Sequence, residues 1–340
     1  MRVLLVRLSA LGDVVHTWPL AVELRRRVPG LELTWVVEEP LRALVEGHPA
    51  VDHVVTVATR RWRRRPTGTR TRREIGSLRR RLRTLEPELC LDPQGTSKSA
   101  LVTWLSAAPR RAGLARPWRR ELLPGLAYTG TLAVEPGDPH VVRTNLQFLR
   151  ALGTKAPDAP TAPDGRWLLS RADAVRPAGL EVPYAVILPG TGRAFKIIPA
   201  EILGGVARGL AGHVGRVVVA WGPGEEARAR EVAGEGGPAV EVAPPTSLLE
   251  LTALLGEARI VVGGDTGPVH LSASLGIPTV AVHMATSAAR NRPLGSRVAV
   301  VDTTRGVASA RTGRARVRPG PPPDAGRILE AAHGLLVTGS

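Results

Sequence analysis

Asp13 follows a short apolar run, MRVLLVRL, and a glycine, Gly12. A carboxylate that ends a strand and opens a helix has two uses. As an N-cap it accepts hydrogen bonds from the first free N–H groups, worth about 1 kcal/mol. The same N–H groups also keep it ionised, so that it can act as a general base, while Gly12 lets a substrate approach the backbone. The two uses are compatible.

Three further strand-to-helix turns have phosphate-binding chemistry. In VVGGDTGPVHLSASLG (261–276) a β-branched run ends at Gly263-Gly264, and Asp265, Thr266 and Gly267 follow. Pro268 suits a first helical position, His270 lies one turn in, and the free N–H groups would cradle a phosphate. An ordinary turn with a threonine cap has the same spacing. In LPGTGRAFK (188–196), Thr191 and Gly192 could hold phosphate oxygens with Lys196 as counter-charge. The chain has only three lysines, Lys98, Lys155 and Lys196, so an ammonium where arginine is otherwise used is informative. In WGPGEEARA (221–229), Gly222, Gly224 and Ala227 match a G-x-G-x-x-A dinucleotide pattern. There Glu225 or Glu226 could bond a ribose hydroxyl, or simply suit the helix dipole.

The charge is uneven. The net charge is +16, and residues 60–83 alone hold twelve arginines and one glutamate, a net +11. Residues 60–65 read as a cationic loop after a strand, and 70–83 as a basic amphipathic helix. Such a field attracts polyanions: nucleic acid, anionic lipid head groups or a phosphorylated acceptor. Trp62 is the only aromatic in the segment and the chain is 3% aromatic, so a stacking platform for single strands is poorly supported.

The elements that would position these residues alternate. MRVLLVRL, LELTWVVE, VDHVVTV and ELCLDPQG read as strands of a first half. Val14 to Arg27 reads as a helix between the first two, and Ile75, Leu78, Leu82 and Leu85 make an apolar stripe on another. KAPDAPTAPDG (155–165) reads as a linker. YAVILPG, RVVVAWG, AVEVAP, ARIVVGGD and TVAVHM then repeat the pattern. The expected fold class is α/β, two doubly wound parallel sheets with crossover helices, with ligands at the carboxyl ends of the strands. The expected domains are 1–160, 161–324 and a closing helix in 325–340 that packs back on the first domain.

With 340 residues, 43% of them hydrophobic, two cores are expected. One cysteine, Cys90, excludes an internal disulfide and a cysteine cage. No apolar run approaches the roughly 18 residues of a membrane span, and Arg7 and Asp13 interrupt any signal-like start, so a cytoplasmic protein is expected. There is no G-x-x-x-x-G-K-[ST] loop, no G-x-S-x-G turn, no Asp-x-Asp pair and no zincin spacing, and no metal or cofactor is expected. Two readings of other classes remain: a nicotinamide-dependent oxidoreductase using Gly222-x-Gly224, and a nucleic-acid-binding protein led by the arginines. The first lacks an identifiable hydride-transfer partner, and the second leaves Asp13 and the Asp265 turn unexplained.

In order along the chain, SALGDVVHTWP, WVVEEP (35–40), RRWRR (60–64), DPQGTSKSA (92–100) and GGDTGPVHLSASLG (263–276) resemble the ADP-heptose:lipopolysaccharide heptosyltransferases of glycosyltransferase family nine, most of all heptosyltransferase I. The resemblance runs from residue 1 to about 285. It implies a GT-B fold, two Rossmann-like domains facing across a cleft, with an acceptor-binding first domain and a nucleotide-sugar-binding second. It implies an inverting, metal-independent transfer of heptose from ADP-heptose to a Kdo residue of the inner core. Asp13 would be the base and Lys196 would stabilise the leaving diphosphate. Gly12, Thr191, Gly192, Glu226, Asp265, Thr266, Gly267 and His270 would serve the donor. Arg60, Arg61, Arg63 and Arg64 would meet an anionic acceptor of the Kdo-lipid A type. The arginine helix would hold a monomer at the anionic inner face of the inner membrane, with no nucleic-acid partner.

Overall fold

The computed structural model describes residues 1–119, 121–175, 183–190, 196–306 and 317–337. The chain divides into two compact units, one running Met1–Thr161 and the other beginning at Ala162.

The first unit is a six-stranded sheet of β1 (Arg2–Val6), β2 (Glu32–Glu38), β3 (His53–Val57), β4 (Leu89–Asp92), β5 (Arg110–Leu114) and β6 (Gly130–Leu132). Its order is β3-β2-β1-β4-β5-β6 and every pairing is parallel. The central strands are apolar on both faces, as a sheet covered by helices on both sides requires. Leu4, Val6, Val36, Val55 and Cys90 form one core with Leu78 and Leu82 from the helix Thr69–Thr84. Ile75 and Leu85 pack against the same core. The apolar stripe of the basic helix is therefore spent inside the protein, and its arginines face outward.

The second unit repeats the topology with β7 (Ala185–Leu188), β8 (Val217–Val219), β9 (Val240–Val242), β10 (Ile260–Gly264), β11 (Thr279–His283) and β12 (Val298–Asp302). The order is β12-β11-β10-β7-β8-β9, again all parallel. Each sheet thus has its switch point beside its first strand, between β1 and β4 and between β7 and β10, where such sheets bind ligands. At β10 a Cβ on Gly263 would lie 2.9 Å from both Leu188 and Val269, so glycine is what lets the following helix close onto the sheet.

Three local expectations need correction. The run Val14 to Arg27 is two helices, Leu11–Val15 and Trp18–Arg27, because Pro19 begins a new helix. Residues 60–65 are not a loop: Thr59–Arg64 is helical, with Trp62 buried as its anchor. The closing helix, Ala325–Val337, belongs to the second unit rather than packing back on the first. Ile328 and Ala332 are fully buried in the second core, and the helix packs on Ala200–Val214 and on β11 and β12. Among the described residues no helix is long and apolar enough to cross a membrane.

Candidate active site

In the first unit, the carboxyl ends of β1, β2 and β4 build one polar cluster. Asp92, fully buried at the end of β4, accepts from the N–H groups of Gln94 (3.0 Å) and Gly95 (3.1 Å) and from the Tyr128 hydroxyl (2.8 Å). Gly95 takes a left-handed conformation (φ 64°) that closes this turn. Gln94 is thereby aimed across the sheet, and its Oε1 accepts from Leu8 N–H at 2.7 Å and Ser9 N–H at 3.4 Å. The DPQG turn thus fixes the loop that presents Asp13. Asp13 is half-buried and its Oδ2 accepts from Ala10 N–H at 3.2 Å. The helix it sits in has five residues, so local N–H groups and neighbouring charge act on it more than a long-helix dipole does.

Lys98 supplies that charge. Its ammonium donates to the Ser9 hydroxyl and lies 3.8 Å from Glu38, whose carboxylate also accepts from the Thr59 hydroxyl. Burial pushes the Lys98 pKa down. Glu38 opposes this, Arg60 and Arg63 add to it, and Asp13 acts against it. Lys98 therefore feels both Asp13 and the arginines Arg60 and Arg63 of the helix Thr59–Arg64, which places all of them in one electrostatic neighbourhood.

A cavity of about 680 Å³ opens beside this cluster, lined by Arg60, Arg63, Trp62, Thr59 and Lys98 among others. Helical spacing divides the four arginines expected to act together. Arg60 and Arg63, three residues apart, share the face that lines the cavity. Arg61 points elsewhere and is bound to Glu39 (3.2 Å) and Glu74 (3.0 Å). Arg64 is exposed and does not line the cavity. Glu74 also accepts from Trp62 Nε1 at 2.7 Å and from Arg70 at 2.9 Å. Burial would raise its pKa, but the bonds from Arg70, Trp62 and Arg61 overcome this and lower it to about 2.

In the second unit, Asp265 lies just past β10. Its Oδ2 accepts from Lys196 Nζ at 2.8 Å and from the Thr286 hydroxyl, and its Oδ1 meets His270 Nε2 at 3.1 Å. Burial alone would raise the Asp265 pKa. The hydrogen bond and charge of His270, then His283 and Lys196, overcome it and hold the carboxyl far below its usual range. Burial pushes the neighbouring His283 down. Lys196 is thus not a lone counter-charge, because it already neutralises Asp265. The Thr266 hydroxyl is buried without a hydrogen-bond partner among the described residues, immediately before Gly267, where the helix Gly267–Ser274 begins. That hydroxyl and the first N–H groups of the helix offer donors suited to phosphate oxygens. Thr191 and Gly192 lie outside the described residues.

The turn after β8 separates Glu225 from Glu226. Glu226 opens the helix Glu226–Gly236 and pairs with Arg230 on its exposed side. Glu225 folds inward. Its Oε2 accepts from Gly222 N–H at 3.0 Å, and its carboxylate occupies the space that a side chain on Gly190 would need. In a dinucleotide fingerprint these N–H groups must be open to a pyrophosphate. Here a carboxylate fills the turn, which is at odds with the G-x-G-x-x-A reading.

Two contributors escaped the residue-by-residue reading. Lys98 carries the same signal as Lys196, a lysine in a chain of arginines, and lies within DPQGTSKSA. Thr286, in the loop after β11, carries no spacing signal at all. Among the described residues no group of histidine, cysteine and carboxylate side chains is placed to hold a metal ion.

Comparison with known proteins bears on both units. A family model described as glycosyltransferase family 9 (heptosyltransferase) matches residues 75–316. The chain is 35% identical to lipopolysaccharide heptosyltransferase 1 of Pseudomonas aeruginosa over 285 residues, 83% of this chain and 78% of that one. It is 33% identical to lipopolysaccharide heptosyltransferase 1 of Escherichia coli K12 over 284 residues, 83% of this chain and 88% of that one. The solved structure of the E. coli heptosyltransferase WaaC with ADP matches at TM-score 0.81 and 31% identity, covering 98% of this chain and all of that one. E. coli heptosyltransferase II, at 18% identity and TM-score 0.75 over 99% of both chains, shares the fold.

Proposed function

Because the chain belongs to glycosyltransferase family 9, we propose that it moves a heptose from ADP-heptose to the lipopolysaccharide inner core, in the manner of heptosyltransferase I, with a Kdo residue as acceptor. The relatives support both parts: the similar sequences are named lipopolysaccharide heptosyltransferase 1, and E. coli WaaC is solved both with ADP and with ADP-2-deoxy-2-fluoro heptose. The first unit takes the acceptor and the second takes the donor.

The observation that carries this reading is the placing of Arg60, Arg63 and Lys98 on one cavity beside the loop that presents Asp13. An acceptor bearing carboxylates or phosphates suits those cations. Asp13, partly exposed, takes the proton from the acceptor hydroxyl as that oxygen attacks the anomeric carbon. ADP leaves from the opposite face, so one displacement inverts the configuration, the logic of a single in-line displacement at a sugar carbon. Thr266, the N–H groups at Gly267 and Lys196 stabilise the negative charge that develops on the leaving diphosphate. Asp265 holds Lys196 and His270 in place for that task. The acceptor's lipid anchor brings the enzyme to the inner face of the inner membrane, where it works as a peripheral monomer.

The test is ADP release from ADP-heptose with Kdo-lipid A, comparing wild type with Asp13→Ala. Turnover in wild type, lost in the variant while ADP still binds, is the expected result. Absence of turnover in wild type with ADP binding intact would overturn the acceptor or the sugar. Full activity in Asp13→Ala would remove the assigned base.

A further inference from the structure

The segment Glu121–Ala127 buries Pro124 and Ala127 and turns its leucines outward. Leu122, Leu123 and Leu126 are 62%, 69% and 85% exposed, the last two within a short 3-10 turn, Leu123–Ala127. Half-buried Arg119 donates to the carbonyls of Glu121 (2.8 Å) and Leu122 (3.0 Å) and lies against Gly125, which fixes the turn. Glu121 accepts from Ser97 N–H at 2.8 Å and so pins the segment to the start of the helix Ser97–Leu105. The turn packs on that helix, which itself exposes Trp104 by 58%. Single exposed leucines are ordinary on a protein surface, whereas three on one arginine-braced turn, packed on a helix that also exposes a tryptophan, make a built apolar surface.

We propose that this leucine lobe, with Trp104, is the part of the chain that enters the interfacial layer of an anionic phospholipid bilayer. The charge beside the lobe selects a bilayer over other occupants. Glu121 and Leu101 line the same cavity as Arg60 and Arg63, so the lobe is continuous with a strongly cationic rim. Apolar insertion flanked by arginines, with a tryptophan at the boundary, is the pattern of interfacial binding. The basic helix Thr69–Thr84 cannot supply the apolar part, since its leucines are in the core. Its arginines can only add long-range attraction. The inference rests on the acceptor being lipid-anchored, because insertion at this point would bring the cavity mouth to the head-group level.

The experiment is co-sedimentation with vesicles of phosphatidylglycerol and phosphatidylcholine that contain no glycolipid, at 0.1 M and 1 M salt. The proteins are wild type and the triple variant Leu122→Ser/Leu123→Ser/Leu126→Ser. Wild type is expected to bind and to keep part of its partition at 1 M salt, where screening acts within about 3 Å. The variant is expected to lose roughly tenfold to hundredfold in partition and nearly all of the salt-resistant part, given the apolar area removed. Unchanged ADP binding and melting would show the variant folded. Equal partition of the folded variant would overturn the proposal. So would a wild-type dimer that the variant converts to monomer, because the lobe would then serve a second copy. These vesicles contain no acceptor, so failure of heptose transfer would strike the proposed function and leave the vesicle result standing or falling by itself.

Discussion

Lys196 Nζ and Asp265 Oδ2 are 2.8 Å apart, with the lysine side chain 20% and the aspartate 9% exposed. Removing one partner of such a pair strands a buried charge, which costs more than the pair itself contributes. Lys196→Met is therefore expected to lower stability by about 2 kcal/mol, softened by the bonds that Asp265 keeps to His270 and Thr286. The double variant Lys196→Met/Asp265→Asn should recover part of that loss, while transferase activity stays low in both. A denaturant double-mutant cycle measures the coupling. A double variant less stable than the sum of the singles would contradict the pairing.

Arg60 and Arg63 should separate from Arg61 in every assay. Arg60→Ala and Arg63→Ala each remove a cation from the cavity wall and break no ion pair among the described residues. Each should raise the KM for an anionic acceptor several-fold and change stability by no more than about 0.5 kcal/mol. Arg61→Ala leaves Glu39 and Glu74 without their shared cation, and should lower the melting temperature more than either of the other two variants, with a smaller change in KM. Steady-state kinetics and melting of the three variants give the comparison. An Arg61 variant that behaves like the other two would mean that the helix presents a different face to the acceptor.

The pH dependence of Glu74 follows from its lowered pKa. Its folded value is about 2, below the ordinary 4.5, so the folded state binds the proton less readily than the unfolded state. The stabilisation is present in full above about pH 4.5 and is lost as pH falls toward 2. Glu74→Gln should therefore be less stable than wild type near pH 7, by roughly 1–2 kcal/mol, and the two curves should converge in that acidic window. Urea unfolding across pH 7 to 3 is the measurement. A difference that stays constant down to pH 3 would rule out the ionised carboxylate as its source.

Much of this was legible in the chain itself. The paired sheets follow from apolar runs bounded by glycine and proline, and the turns at Asp13 and Asp265 stand at strand ends because those runs stop there. Strands β5 and β6 were not legible, since RRAGL opens with two arginines and GTL has three residues. The helical state of Arg60–Arg64 was masked by charge: its one apolar anchor, Trp62, gives no periodicity, and tertiary burial decides the matter. The closing helix has an apolar stripe, and a stripe does not say which of two cores it will meet. Thr286 reaches Asp265 across 21 residues through the return of β11, a relationship visible only once the sheet is folded.

The two glutamates at the start of Glu226–Gly236 give the last comparison. The resemblance implies that Glu226 serves the donor, yet that carboxylate is engaged with Arg230 on an exposed helix face. Glu225 is bonded to Gly222 N–H and lies over Gly190, two residues past β7. A carboxylate so placed can exchange its bond to Gly222 for a ribose hydroxyl at little cost, because one hydrogen bond replaces another. Glu225→Ala is expected to weaken ADP binding by about tenfold, and Glu226→Ala by less than about twofold, as a loss of one charged hydrogen bond against none would give. Calorimetric titration of ADP into both variants decides it. The opposite order would return the ribose to Glu226, and would require Arg230 to release it when nucleotide binds.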